Sequence, residues 1–428
     1  MRVLWLCNIM LPAIAEKLHM EGSVKEGWIS GILERFLISG QETDIQLGIA
    51  FPANEMLENY HDVFVWNGVP VNCYGFYENL EKPEIYQAHL ESRFEDIITD
   101  FKPDVIHVFG TEYPHTLAMA RAVREPQKLL IGIQGVITIC AEEYQAMLPK
   151  SVVVRKTFRD FWKKDGIMQQ QQKFAMRGRQ EVRALKIAGN ITGRTDFDKE
   201  FAVMVNQNAT YFAMNETMRP CFYEGNWTLD NCKKHRIFFS QADYPLKGFH
   251  FLLEAMPEIL KKYPDAEIAV AGNNIIRDGI MGKIKLPSYG KYLQKLIKQN
   301  QLMDKIHFLG RLSAEEMKQE YLKSHAFVCA SVLENSPNSV AEAMLLGMPV
   351  VSANVGGVPS VIEGGKEGIL FEKGNAKALA EAVITLWDDE MMAQKLGKNA
   401  QLRARRSHDG ERNFRRLLEI YRAIGDNQ

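Results

Sequence analysis

The sequence predicts an α/β protein made of two doubly wound halves, and three observations lead there. First, apolar runs of strand length alternate with helix-length amphipathic segments from Val3 to Gly135, the mark of parallel sheets with helical crossovers. Second, the same alternation restarts near Arg236, beyond a hinge-like stretch at residues 220–227. Third, residues 326–353 contain one complete strand, polar loop, helix and strand. A chain of 428 residues also has length for two or three domains.

In the first half, residues 3–6, 44–49, 63–66, 105–109 and 129–133 read as strands, and residues 27–38, 92–101 and 116–123 as helices. The fourth of these strands ends at Gly110-Thr111-Glu112 and the fifth at Gln134-Gly135. Residues 190–192 form a further short strand before Gly193-Arg194. In the second half, strands are expected at 237–239, 268–272 and 306–310, with helices at 249–260, 289–299, 315–322 and 375–387. A last helix covers 412–424. The expected domains are 1–218 together with 411–428, and 219–410.

The most informative segment is Glu334-Asn335-Ser336-Pro337-Asn338-Ser339-Val340-Ala341-Glu342-Ala343. It follows the apolar run Ala326-Phe327-Val328-Cys329-Ala330 and opens a helix. Ser336 or Asn338 can serve as N-cap, Pro337 suits the first turn, and Gly347 stops the helix before the strand beginning at Pro349. The loop therefore lies at the carboxyl end of a strand, where open α/β sheets bind ligands. The amides of Asn338, Ser339 and Val340 would face that crevice and suit a phosphate. Glu342 could accept hydrogen bonds from sugar or ribose hydroxyls, and Glu334 could touch whatever the phosphate carries. An acidic residue near a helix start also has a purely structural use, complementing the helix dipole.

Bulk properties exclude several classes. The net charge of −1 argues against nucleic acid as a partner. The six cysteines have no metal-type spacing and fit a reducing, cytoplasmic compartment. No apolar run approaches the ~20 residues of a membrane helix. Residues 7–31 lack the G-x-G-x-x-G that a nicotinamide-dependent oxidoreductase requires. The D-x-D of Asp196 and Asp198 carries no further metal-site context, and no metal is expected. Residues 150–194 hold twelve Lys/Arg against three acids, with Phe158, Phe161 and Trp162 interleaved. That composition suits a solvated helix face, or a surface that meets anionic lipid or a lipid-diphosphate acceptor at the membrane periphery.

With these residues in view, the segment Glu334 to Glu342, with Gly347, Pro349-Val350-Val351, Gly356-Gly357-Val358-Pro359 and Glu363, resembles the E-x7-E signature of the large retaining glycosyltransferase family 4. The likeness covers roughly residues 235–390 and extends weakly into the N-terminal half. It implies the GT-B fold, two Rossmann-like domains facing a central cleft. It also implies metal-independent transfer from a nucleotide-diphosphate sugar, UDP-type favoured, to a saccharide or lipid-linked acceptor, in bacterial surface polysaccharide synthesis at the inner face of the membrane. By resemblance, Glu342 binds ribose, Glu334 lies near the transferred sugar, the amides of Ser339 and Val340 hold the diphosphate, and the base meets backbone near Gly310-Arg311. No separate cofactor is implied.

Further candidates complete the site. Lys247 matches the family's diphosphate-binding lysine, but no arginine stands about five residues before it, which leaves Arg311, Arg194 or a backbone nest to supply the charge. Gly22 and Gly27 would let backbone approach the donor phosphate or the acceptor. Glu112 and Gln134 are acceptor-side candidates. Gln134 stands where many members carry a histidine, and an amide cannot act as a base. His107 reads as a core histidine. Arg194 is expected to grip an anion in the cleft. The alternative on the same fold is a nucleotide-sugar epimerase.

Overall fold

Val3 to Leu6 is an unbroken apolar run in which successive side chains must take opposite sides of a strand, so both sides need cover. The computed structural model, which describes residues 1–20, 27–39, 43–274 and 285–426, provides it. Val3 and Trp5 enter one core with Phe36 and with Phe414, Leu417 and Tyr421 of the last helix, Gly410–Gly425. Leu4 and Leu6 enter another with Phe94, Phe101 and Leu117, from helices His89–Phe101 and Pro114–Ala122. Two buried faces explain why the run is continuous rather than alternating.

The chain divides into two compact units. One comprises residues 1–139, 173–218 and 408–428, and the other 140–172 and 219–407. The strands of the first are β1 (Arg2–Leu6), β2 (Gln46–Ala53), β3 (His61–Trp66), β4 (Val69–Tyr77), β5 (Val105–Phe109), β6 (Leu129–Gly132), β7 (Asn190–Gly193) and β8 (Thr210–Ala213). They form one sheet in the order β3-β4-β2-β1-β5-β6-β7-β8. Every pairing is parallel except β3 with β4. The second unit has β9 (Lys233–Phe239), β10 (Glu267–Ala271), β11 (Ile306–Gly310), β12 (Ser324–Cys329), β13 (Val350–Ala353) and β14 (Ile369–Phe371), ordered β11-β10-β9-β12-β13-β14 and wholly parallel. Numbered within the unit this is 3-2-1-4-5-6, the Rossmann order, whose direction reverses between β9 and β12.

One domain expectation requires correction. Residues 140–172 belong with the second unit, not the first. Their anchors there are distant in sequence. The Ser288 amide donates to the Asp160 carboxylate at 2.9 Å, His250 Nε2 lies 3.1 Å from the Ala146 carbonyl, and Lys373 pairs with Glu143 at 2.8 Å.

His107 is a core histidine. It is fully buried in β5, with Nδ1 2.8 Å from the Tyr421 hydroxyl, which also accepts from Trp5 Nε1 at 2.9 Å. Burial alone lowers its pKa from the usual 6.5 to about 3, and burial likewise lowers His250 to about 4. Both are neutral in the folded state, whereas the unfolded chain protonates them near 6.5. Below that pH the unfolded state binds more protons, so these residues contribute stability that is complete above 6.5 and declines as pH falls toward 4. Thermal melts should therefore show Tm dropping across that window, with a shallower drop in His250→Gln; identical slopes would exclude His250 as a source.

Candidate functional site

The reversal between β9 and β12 leaves a gap between the crossover connections at the carboxyl edge of the second sheet, and Lys247 and Glu334, which follow these two strands, meet there. After β9 the chain makes a short turn, Pro245–Lys247, and enters the helix Phe249–Lys262 through Gly248. Gly248 has φ +69°, and a β-carbon on it would fall 1.8 Å from the Ala330 carbonyl oxygen. The Val332 amide donates to the Leu246 carbonyl at 2.9 Å. The Lys247 turn is thus fixed to the end of β12. Gly248→Ala should cost at least ~1 kcal/mol through the left-handed backbone alone and displace Lys247. A lower Tm together with weaker nucleotide binding is expected; if both stay unchanged, the turn does not position Lys247.

Lys247 Nζ donates to Glu334 Oε1 at 2.5 Å, and the Ser331 hydroxyl donates to the same oxygen at 2.6 Å. Burial acts to lower the lysine pKa, but the Glu334 carboxylate outweighs it and holds Lys247 charged well above the usual lysine value. Burial pushes the neighbouring Tyr244 phenol up to about 12. The Glu334 backbone is held as well. Its carbonyl accepts from the Gly357 amide at 2.9 Å, and a side chain on Gly356 would collide with that carbonyl. The Gly356-Gly357 loop after β13 therefore closes directly on Glu334.

The following helix is Asn338–Leu345. Neither Ser336 nor Asn338 caps it through a side chain. Pro337 holds the N-cap position in extended conformation, because its fixed φ already sets the turn. The Val340 amide donates to the Pro337 carbonyl at 3.0 Å, which corrects the expectation that it is open. Asn338 and Ser339, as first-turn residues, have amides with no intrahelical acceptor, and Asn338 is exposed.

Glu342 is buried. Arg219 donates to its Oε1 from Nε at 3.0 Å and from Nη2 at 2.5 Å, and the Tyr321 hydroxyl lies 3.4 Å from Oε2. Burial raises the Glu342 pKa, with Arg219 and Tyr321 opposing, and the net shift is upward. The Arg219 guanidinium also stacks 4.8 Å over the Phe222 ring. Sequence reasoning missed Arg219, Tyr321 and Ser331. Ser331, two residues beyond β12, carried a positional signal, whereas Arg219 had none beyond its place before Pro220.

At the end of β11, Gly310 has φ +77° and open space where a side chain would stand. Exposed Arg311 donates from Nε to Asn273 at 2.9 Å, and Asn273 donates to Asp243 at 3.0 Å. The position five before Lys247 is Ala242, which is buried.

In the first unit, Glu112, Gln134 and Arg194 follow β5, β6 and β7 at that sheet's own carboxyl edge. Glu112 accepts from the Gly135 amide at 3.2 Å, and its carbonyl accepts from Arg177 at 2.8 Å. Arg194 is not an open anion grip. Its guanidinium pairs with buried Glu216 and donates to the Gln134 side chain at 3.1 Å. Asp198 of the D-x-D is consumed by a capping box with Thr195, and it also accepts from the Arg194 amide at 2.9 Å and the Tyr211 hydroxyl at 2.5 Å. No group of three or more metal-ligating side chains occurs among the described residues. Gly27 opens the helix Gly27–Ser39, and Gly22 lies outside the described residues.

Residues 228–403 match the family described as Glycosyl transferases group 1. Spore coat protein SA of Bacillus subtilis is 31% identical over 178 residues, 41% of this chain and 45% of that protein. The D-inositol 3-phosphate glycosyltransferase of Corynebacterium urealyticum is 28% identical over 180 residues, 42% of this chain and 41% of that one. The match thus spans less than half the length of these relatives. Among solved structures, sucrose-phosphate synthase from Thermosynechococcus elongatus superposes over 100% of both chains with a TM-score of 0.69 at 14% identity. Anabaena HepE in complex with UDP-glucose superposes over 99% of this chain and 100% of that one, with a TM-score of 0.64 at 17% identity. The chain has the GT-B fold, and its residues 228–403 are similar to the family of group 1 glycosyl transferases.

Proposed function

We propose that the protein is a retaining glycosyltransferase that moves a hexosyl group from a nucleotide-diphosphate sugar to a hydroxyl of a saccharide or lipid-linked acceptor. The observation that carries this reading is the Lys247–Glu334 pair at the point where the strand order reverses, in the loop that leads to the helix start at Asn338 and Ser339. A lysine and two helix-start amides offer fixed positive potential to a diphosphate leaving group, so the proposed reaction needs no metal. In the proposed step the bond from the anomeric carbon to the phosphate oxygen breaks, and the bond to the acceptor oxygen forms on the same face. The acceptor proton passes to the departing phosphate oxygen. Glu334, held by Lys247 and Ser331, orients the sugar, while Glu342 accepts from ribose hydroxyls. Gly310 and Arg311 border the base. Arg311, exposed at the same sheet edge, is the candidate for the phosphate charge that position 242 lacks.

UDP is the favoured nucleotide, supported by the UDP-glucose complex of HepE. Glu112 and Gln134 serve the acceptor, with Arg194 positioning Gln134 through its 3.1 Å hydrogen bond. Bacterial surface polysaccharide is the proposed product class, made in the cytoplasm at the inner face of the membrane. The test is incubation with UDP-sugars in EDTA, following the anomeric proton by NMR. Slow release of sugar with its donor configuration, accelerated by a saccharide acceptor, is expected. Inverted product would overturn the retaining assignment, and interconversion of the sugar on an intact nucleotide would favour the epimerase.

A further inference from the structure

The basic stretch at 150–194 does not form one surface. From Lys173 onward it belongs to the first unit, where Lys173 pairs with Glu84 at 3.5 Å and Arg177 donates to the Glu112 carbonyl. The segment before it behaves differently. The short helix Phe158–Lys163 presents Phe158, Phe161 and Trp162 at positions i, i+3 and i+4, which share one face. They are 68%, 71% and 75% exposed, and nearby Val154 is also exposed. Isolated apolar residues on a surface are ordinary, but three large aromatics on one turn are a patch that calls for a partner.

The patch is held in place. Thr157 and Asp160 form a full capping box, and buried Asp160 also accepts from the Ser288 amide at 2.9 Å. The aromatic face is therefore presented by an anchored turn. Its flanks are cationic. Arg155, Lys156, Lys163 and Lys164 are exposed and, among the described residues, enter no ion pair with a carboxylate. The only acids within 150–172 are Asp160, buried in its cap, and Asp165, paired with Arg159 at 2.9 Å. The outward face thus combines aromatic side chains with uncompensated positive charge.

We infer that residues 154–164 dock on the surface of an anionic phospholipid bilayer, the aromatic face entering the headgroup boundary and the four cations meeting lipid phosphates. Aromatic rings favour that boundary, and interfacial helices pair them with Lys and Arg. A partner protein would have to supply acids around a hydrophobic pocket, whereas a bilayer offers negative charge and apolar depth together. No described helix is long and apolar enough to cross a membrane, so the contact is peripheral. This specifies the membrane contact within the proposed function, but it stands on surface chemistry and is tested without reference to sugar transfer.

The test is co-sedimentation of the full chain with vesicles of phosphatidylcholine, with and without phosphatidylglycerol. The wild type should pellet with the anionic vesicles and be released by high salt. Phe158→Ser/Phe161→Ser/Trp162→Ser should lower partitioning at least about tenfold. Lys163→Glu/Lys164→Glu should lower it by a comparable factor, since each cation is worth roughly fivefold at the surface. Unchanged melting temperatures would show that the variants fold. Wild-type protein that stays in the supernatant, or pellets equally with neutral vesicles, overturns the inference. So does self-association in solution that the aromatic variant abolishes while vesicle binding persists, since the patch would then join copies of the chain.

Discussion

Lys247→Ala is expected to lower the rate of sugar transfer by about 10²–10³-fold, the loss usual when one fixed donor to a developing oxyanion is removed. The lysine is charged, pinned by the Gly248 turn and 2.5 Å from Glu334. Its removal takes away positive potential at the proposed leaving phosphate and frees the Glu334 carboxylate, with Ser331 still donating to Oε1. Because charge on the leaving oxygen grows toward the transition state, kcat should fall further than donor affinity. Lys247→Arg keeps the charge but not the compact ammonium geometry, so partial activity is expected. Steady-state kinetics with a titration of the nucleoside diphosphate separates the two effects. A kcat within about threefold of wild type would remove Lys247 from the chemistry.

Glu342→Ala should weaken nucleoside diphosphate binding by about 10–100-fold, the range for hydrogen bonds to a charged acceptor. Glu334→Gln should leave that affinity nearly unchanged and slow transfer. The ion pair with Arg219 adds a second observable. Arg219→Ala leaves buried Glu342 without its cation and should destabilise the protein by about 3 kcal/mol. Glu342→Ala should cost less, since Arg219 is one-quarter exposed and can reach water. The double variant should regain stability relative to Arg219→Ala without regaining affinity. Such a pattern would separate the carboxylate's binding role from its structural one. Equal, small effects of Glu334 and Glu342 substitutions on both affinity and rate would contradict the role assignment.

The second sheet was legible in the sequence because its strands are short apolar runs punctuated by Gly and Pro. The run 326–330 before Glu334 is the clearest, and the strand order places it at the reversal. β4 was not legible. Pro70 and Gly75 read as breakers, yet Pro70 lies before Val71, the first residue paired to β2, and so removes no hydrogen bond from that ladder. Gly75 is required, because a side chain there would strike the Leu57 carbonyl. The Asn67-Gly68 turn, with both residues at positive φ, was the available signal for the β3–β4 hairpin. β8, a half-exposed edge strand, lacks the apolar run that marks its neighbours, and β14 has only three residues. Within the site, residue types near a helix start could be read, but partners could not. Lys247 meets Glu334 across 87 positions, and Arg219 meets Glu342 across 123. The engagement of Arg194 by Glu216 was hidden for a related reason, since periodicity does not say which charge a buried guanidinium will find.

The second unit is expected to bind a nucleoside diphosphate through Lys247, the amides of Asn338 and Ser339, and Glu342. Thermal-shift titration with UDP, GDP and ADP, with and without EDTA, is the decisive measurement. At a hundredfold excess over Kd a ligand specific to the folded state adds about 2.7 kcal/mol of stability. Such a shift is expected for one nucleotide, UDP favoured, unaffected by EDTA and much reduced in Glu342→Ala. No shift with any nucleotide, or a shift that EDTA abolishes, would contradict it.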